Sequence, residues 1–271
     1  MPFTPTHILA VLPINLGSRN SLPLSALAIG SMTPDAPLFF PLISPGYQES
    51  HATLGPILAC LPFAIPTFLL FQFVMKEPLI GLCPTFLRDR MSSISKPHIQ
   101  PTIAFFVLAT LAIVLGAYSH IFWDSFTHRH RWGTDLFPGL SQTYPILGRK
   151  VPAFSILQHG SSVIGLPIIL VAALLWLKQQ PSKNDQLEPI FIANNPAHWI
   201  AVGFILAATA QAAYQFGFDT SLTLEVRASH TVTRSMMTLT LAAIAYSTVV
   251  QFRFYWYNVM NAKSAGSEVN N

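Results

Sequence analysis

Charge is the scarcest ingredient of this chain. Only 10% of its 271 residues are Asp, Glu, Lys or Arg, where a soluble domain carries about 25%. A fully hydrated surface of ordinary size is therefore excluded, and the bilayer is indicated as solvent. Cysteine is nearly absent. Cys60 in an apolar stretch and Cys83 in a loop exclude a disulfide framework and a thiolate metal site. Gly/Ser linkers, low-complexity segments and internal repeats are missing, so nothing divides the chain in two. The net charge of +4 is spread out, and no basic stripe suited to nucleic acid occurs. The familiar catalytic signatures are missing as well. There is no His-Glu-x-x-His helix, no Gly-x-Ser-x-Gly elbow and no Gly-rich phosphate loop. Met1–Thr6 holds no Lys or Arg, and Pro2, Pro5 and Pro13 interrupt the first apolar run, so no secretory signal is read there.

Apolar residues fill the space that charge leaves. They make up 51% of the chain, with a mean hydropathy of +0.46. Ile103–Phe122, Ser161–Leu177, Trp199–Phe218 and Ser235–Phe252 are each long enough to span, at roughly 20 residues per crossing. Gly55–Val74 is a fifth, although it carries Pro56, Pro62 and Pro66; spanning helices tolerate proline where neighbours satisfy the freed backbone groups. Ile8–Leu16 and Leu22–Ser31 are too short to cross and read as interfacial or re-entrant helices. The expected fold is all-α: an integral membrane protein with about five transmembrane helices and short N-terminal helices. One helical domain is expected over residues 1–261, with a small polar tail, Ala262–Asn271, expected to be disordered.

Five spans place Met1–Leu54, Trp123–Gly160 and Asp219–Arg234 on one face of the membrane. Seven of the nine histidines then fall on or beside that face: His7, His51, His120, His128, His130, His159 and His230. His98 and His198 fall on the other. Lys and Arg are divided eight to seven between the faces, so the positive-inside rule gives no orientation.

The strongest chemical signal is His120-Ile121-Phe122-Trp123-Asp124-Ser125-Phe126-Thr127-His128. Its His, Asp and His recur every four residues and share one helix face. His120 and Asp124 lie one turn apart, close enough to share a metal ion bound at about 2.0–2.2 Å. The alternative is a His–Asp hydrogen bond that only stiffens the helix end. His128 would stand about 12 Å from His120 along an unbroken helix, too far to share one ion. Two readings are open: Asp124 bridges toward a second ion, or His128 orients a ligand or meets the substrate. Asp35 follows Pro34 on a turn, His7 begins the first apolar piece after a possible Thr6 cap, and His51 precedes the first span. Gln158-His159-Gly160-Ser161-Ser162 either caps the third span or places an imidazole at the same boundary.

The opening Met1-Pro2-Phe3-Thr4-Pro5-Thr6-His7, the run Leu24–Asp35, the segment Ser119–His128 and Gln158–Ser162 together resemble an uncharacterised bacterial membrane family, domain of unknown function 4184. More distantly, the order His7, Pro34-Asp35, His51, His120-x-x-x-Asp124 resembles the YdjM-type inner-membrane metal-dependent hydrolases. That resemblance implies His7, Asp35, His51, His120 and Asp124 as metal ligands and a bacterial inner-membrane location. The expectation is a hydrolase with a divalent ion, zinc by preference. His128 and His159 are expected to act as catalytic or substrate-contacting groups. Membrane lipids are the expected partners, and a lipid or lipid-linked ester or phosphoester the expected substrate. The competing expectation is a non-enzymatic scaffold or metal sensor with structural histidines. A transporter is disfavoured, because apart from Gln211 the spans are nearly free of polar or ionisable residues at midplane depth.

Overall fold

The structure is a computed structural model that describes residues 4–95, 102–146, 148–182, 196–218, 221 and 223–268. Among them the chain is helical apart from one two-stranded hairpin. Four helices are long and apolar enough to cross a membrane: Pro56–Gly81, Ile103–Thr127, Ala153–Gln179 and Val226–Met260. Four of the five expected spans lie in them. The fifth, Trp199–Phe218, lies in a helix, Pro196–Gly217, whose side chains are only partly described. The side chains of the expected tail, Ala262–Asn271, lie outside the described residues.

The chain forms two compact units. The first begins with a 3-10 turn, Thr4–His7, and α1, Ile8–Gly17. Arg19 and Asn20 then take positive φ values of 53° and 60°, and the Asn15 amide donates to the Leu22 carbonyl at 2.9 Å, which closes the reversal. Next come α2, Leu24–Met32, and a second 3-10 turn, Thr33–Asp35. Short helices α3, Ala36–Phe39, and α4, Tyr47–Ser50, follow. The first span, α5, Pro56–Gly81, is π-wound over Pro56–Cys60 and Phe71–Met75, a looser winding found where an α-helix is locally interrupted.

After α6, Thr85–Ser95, the second span, α7, Ile103–Thr127, opens on Thr102, whose hydroxyl accepts from the Phe105 N–H at 3.2 Å. Helix α2 packs against the middle of α7. Ala26, Leu27, Ala112, Ile113 and Ala117 are wholly buried there. At the crossing a Cβ on Gly30 would strike the Ile113 carbonyl, and one on Gly116 the Leu27 carbonyl. Small residues let backbones meet where lipid supplies no hydrophobic drive.

Beyond α7 come α8, Trp132–Leu136, and the hairpin of β1, Thr143–Ile146, with β2, Arg149–Pro152, paired from Thr143↔Pro152 to Ile146↔Arg149. Helix α9, Ala153–Gln179, follows, and its Val163, Ile164 and Leu170 are exposed, as a lipid-facing flank would be. In the second unit the Arg90 guanidinium donates to the Gln180 carbonyl at 3.0 Å, at the end of α9. There α10, Pro196–Gly217, packs on α11, Leu224–Glu268.

Candidate metal centre

Each candidate ligand is placed by a short local device. His7 ends the first 3-10 turn and is 2% exposed. Asp35 ends the second, where Pro34 fixes φ, and the Thr4 hydroxyl donates to its Oδ2 at 2.7 Å. His51 follows α4, and its Nδ1 meets the Tyr47 carbonyl at 3.0 Å. The hydroxyl of Ser50, fully buried, donates to the Pro34 carbonyl at 2.8 Å, so the His51 turn and the Asp35 turn are tied together. His120 and Asp124 sit on the last two turns of α7. His120 Nδ1 donates to the Ser31 carbonyl at 2.7 Å, which directs Nε2 inward. Ligating histidines commonly donate their second ring N–H in this way.

The five side chains converge. His120 Nε2 lies 3.4 Å from Asp124 Oδ2 and 3.7 Å from Asp35 Oδ1. His7 Nε2 is 3.6 Å from Asp124 Oδ1, and His51 Nε2 is 3.9 Å from both Asp35 Oδ1 and Asp124 Oδ2. These separations are too long for good hydrogen bonds. They match donors arrayed at about 2.0–2.2 Å around a common centre. His7 Nε2, His51 Nε2, His120 Nε2 and Asp35 Oδ1 are buried and have no hydrogen-bond partner. Each such orphan costs about 1–3 kcal/mol, and the four stand together in a group that could hold a metal ion.

Two donor triads occur, His7–His120–Asp124 and Asp35–His51–His120. They share His120, whose Nδ1 is committed to Ser31 and whose Nε2 has a single lone pair. His120 can therefore serve only one ion, so the two triads could not both be filled through it. Burial holds the His7 imidazole well below its ordinary range and pushes His51 down to about 4, and His120 lowers both further. Both rings are neutral at physiological pH, with lone pairs free to ligate. Burial raises Asp35 above the usual carboxylate range. Two ionised carboxylates would match the charge of one divalent cation, and a buried carboxylate needs a charge partner.

His128 departs from the straight-helix geometry. Helix α7 ends at Thr127, and His128 is extended at φ −127°, ψ 143°. Its ring folds back so that Nδ1 lies 3.5 Å from Asp124 Oδ2 and 3.2 Å from the Asp124 carbonyl. Its Nε2 meets the Gln158 amide nitrogen at 3.1 Å. With that amide donating, Nδ1 carries the proton and points it at Asp124. His159 is exposed on α9 and is not drawn into the cluster; Gln158 is the residue of that motif that reaches it. His98 lies outside the described residues, as does the side chain of His198.

A cleft of about 540 Å³ opens beside His51 and Asp124, walled by Ile121, Phe122 and Trp132, with Arg131 on its side. The Tyr47 phenol, hydrogen-bonded to Arg131, is pushed up to about 12 by burial and by the nearby Asp35 and Asp124 carboxylates. Sequence reading missed Thr4, Tyr47, Ser50, Arg131 and Gln158. Tyr47 and Ser50 carried a local signal in their closeness to His51, and Gln158 in its place beside His159 in the motif that opens the third span.

No curated protein and no solved structure matches the chain. One family model does, over residues 1–252, a stretch that contains all five donors, His128 and Gln158; the chain belongs to that family, the domain of unknown function DUF4184.

Proposed function

We propose that the protein is a metal-dependent hydrolase, with zinc as its ion, acting on a lipid or lipid-linked ester or phosphoester at the membrane boundary. The observation that carries this reading is the convergence of three histidines and two aspartates, each at most 6% exposed, beside a cleft that reaches His51 and Asp124. Imidazole nitrogen and carboxylate oxygen are the donors zinc accepts. When bound, such an ion polarises an ester oxygen and lowers the pKa of a bound water toward neutrality. The chain's own residues supply the rest. Ser31 fixes the His120 ring through its carbonyl, while His128 and Thr127 orient the Asp124 carboxylate. The Tyr47 phenol keeps its proton near the cleft, where it can donate to an oxygen that gains charge. The site stands at the end of an apolar span, the depth at which a lipid presents its headgroup.

The near-complete burial of the donors favours a second reading, a metal sensor or scaffold. One experiment separates the two. Full-length protein loaded with zinc is incubated with a total membrane-lipid extract, and lipid species are followed by mass spectrometry. Metal-dependent loss of an ester species with wild type but not with His120→Ala supports the hydrolase. A stoichiometric ion with no change in any species rejects it in favour of the sensor.

A further inference from the structure

Arg131 is a charge that the metal centre does not use. If the centre holds a divalent ion, two carboxylates and three neutral imidazoles leave it without net charge. The described ion pairs contain no partner for Arg131; its hydrogen-bond partner is the neutral Tyr47 phenol. The backbone that carries the guanidinium is held in place. His130 adopts φ +57°, a left-handed conformation rare outside glycine, and this turns the chain into the cleft. The Arg131 N–H then donates to Thr134 Oγ1 at 3.2 Å, and its carbonyl accepts from the same hydroxyl at 2.9 Å and from the Asp135 N–H at 3.0 Å. A cation beside an electrically neutral metal centre selects an anion. A carboxylic ester brings no negative charge to the reacting group, whereas a phosphoester does, and a guanidinium fork matches its paired oxygens.

The apolar side of the cleft runs on along the span. Phe122 and Tyr118 line the cleft, and with Leu115 and Leu111 they form a stripe spaced four, three and four residues apart along α7. All four are exposed, at 56, 36, 42 and 50%. The stripe is roughly 16 Å long at helical rise and continues from the charged end of the cleft toward mid-span. We propose that this cleft is the receptor for a membrane-lipid phosphoester, with Arg131 taking the phosphate and the stripe from Phe122 to Leu111 carrying the hydrocarbon chain. The proposal rests on the hydrolase reading for its reaction. Water oxygen bonds to phosphorus, the ester P–O bond breaks, and the leaving alcohol takes one water proton while the phosphate retains the other.

The test uses full-length, zinc-loaded protein in an uncharged detergent and three probes measured by calorimetry. Dodecylphosphonate has charge and tail and a P–C bond that cannot hydrolyse; inorganic phosphate has the charge alone; dodecanol has the tail alone. Dodecylphosphonate should bind at least about tenfold more tightly than either of the others. Arg131→Met should weaken it on the order of tenfold or more, as loss of a charged hydrogen bond does, and Arg131→Lys should fall between. Phe122→Ala should weaken dodecylphosphonate and leave inorganic phosphate unchanged. Zinc content and melting temperature of the Arg131 variants are read alongside and should match wild type. Phosphonate binding untouched by Arg131→Met, dodecanol binding equal to phosphonate, or inorganic phosphate equal to phosphonate would each overturn the proposal. Binding as expected with no phospholipid turnover leaves the receptor standing and removes the hydrolase. Turnover of an uncharged carboxylic ester that ignores Arg131→Met does the reverse.

Discussion

Gly116→Ala tests the dependence of the metal centre on the α2–α7 crossing, because it adds a single carbon to a residue that is not a ligand. The new Cβ would strike the Leu27 carbonyl and stand 2.7 Å from the Ser31 nitrogen and 3.1 Å from the Gly30 carbonyl carbon. Ordinary contact begins near 3.4 Å. These are all backbone atoms, so no side chain can rotate away and α2 must retreat by roughly 0.7 Å or more. The same backbone carries the Ser31 carbonyl, which accepts from His120 Nδ1 at 2.7 Å. A retreat of that size stretches the bond beyond good geometry and also shifts Asp35, whereas a metal site tolerates about ±0.2 Å. Replacing glycine in a helix gains about 1 kcal/mol of propensity, and the overpacking costs about 1–3 kcal/mol, so the cost prevails. Expected outcomes are zinc occupancy below half that of wild type at stoichiometric metal, a lower melting temperature and unchanged helical circular dichroism. Gly160→Ala, where a Cβ meets nothing within 4 Å, is the control and should bind zinc fully. Full occupancy and an unshifted melt in Gly116→Ala would refute the dependence of the site on this crossing.

Asp124→Ala should abolish zinc binding while helicity persists, and His128→Ala should lower occupancy only in part, since its ring orients Asp124 without ligating; equal losses in the two variants, by elemental analysis, would contradict the assignment. Gln158→Ala should have a smaller effect of the same kind, because it acts through His128, and should be silent when combined with His128→Ala. The metal-free protein should lose stability as pH falls. His51 is at about 4 when folded against an ordinary 6.5, so the unfolded chain takes the proton first. The stability this group contributes, up to about 3 kcal/mol, is complete above pH 6.5, declines toward pH 4 and changes no further below it. Melts in chelator from pH 7 to 4 check the direction, and a rising melting temperature would be inconsistent with it.

The set of five candidate donors came from the resemblance in the order of short motifs, and residue type and face supplied only part of it. A four-residue spacing fixes His120 and Asp124 on one side of a helix, and hydropathy alone puts His7, Asp35 and His51 on the same membrane face. The spans were legible from hydropathy, apart from their ends: Ser161–Leu177 is the apolar part of a helix that begins at Ala153. What joins the donors was not legible. The Gly30–Gly116 contact depends on two glycines that read locally as ordinary members of apolar runs, and the Ser50–Pro34 bond links two turns that no periodicity relates. The placement of His128 turned on whether α7 ended at Thr127, and helix ends are poorly specified by apolar spacing. Arg131 carried no signal of its own in the sequence, because its place beside the cleft follows the left-handed turn at His130.

The most direct measurement is the metal content of the full-length protein, purified without chelator, equilibrated with zinc and analysed beside His120→Ala. His120 belongs to both donor triads, so its loss removes the one ligand that neither can replace. The expected result is one zinc per wild-type chain and none above background in the variant. Zinc-free wild type, or a variant that holds as much zinc as wild type, would contradict a single centre built on His7, Asp35, His51, His120 and Asp124.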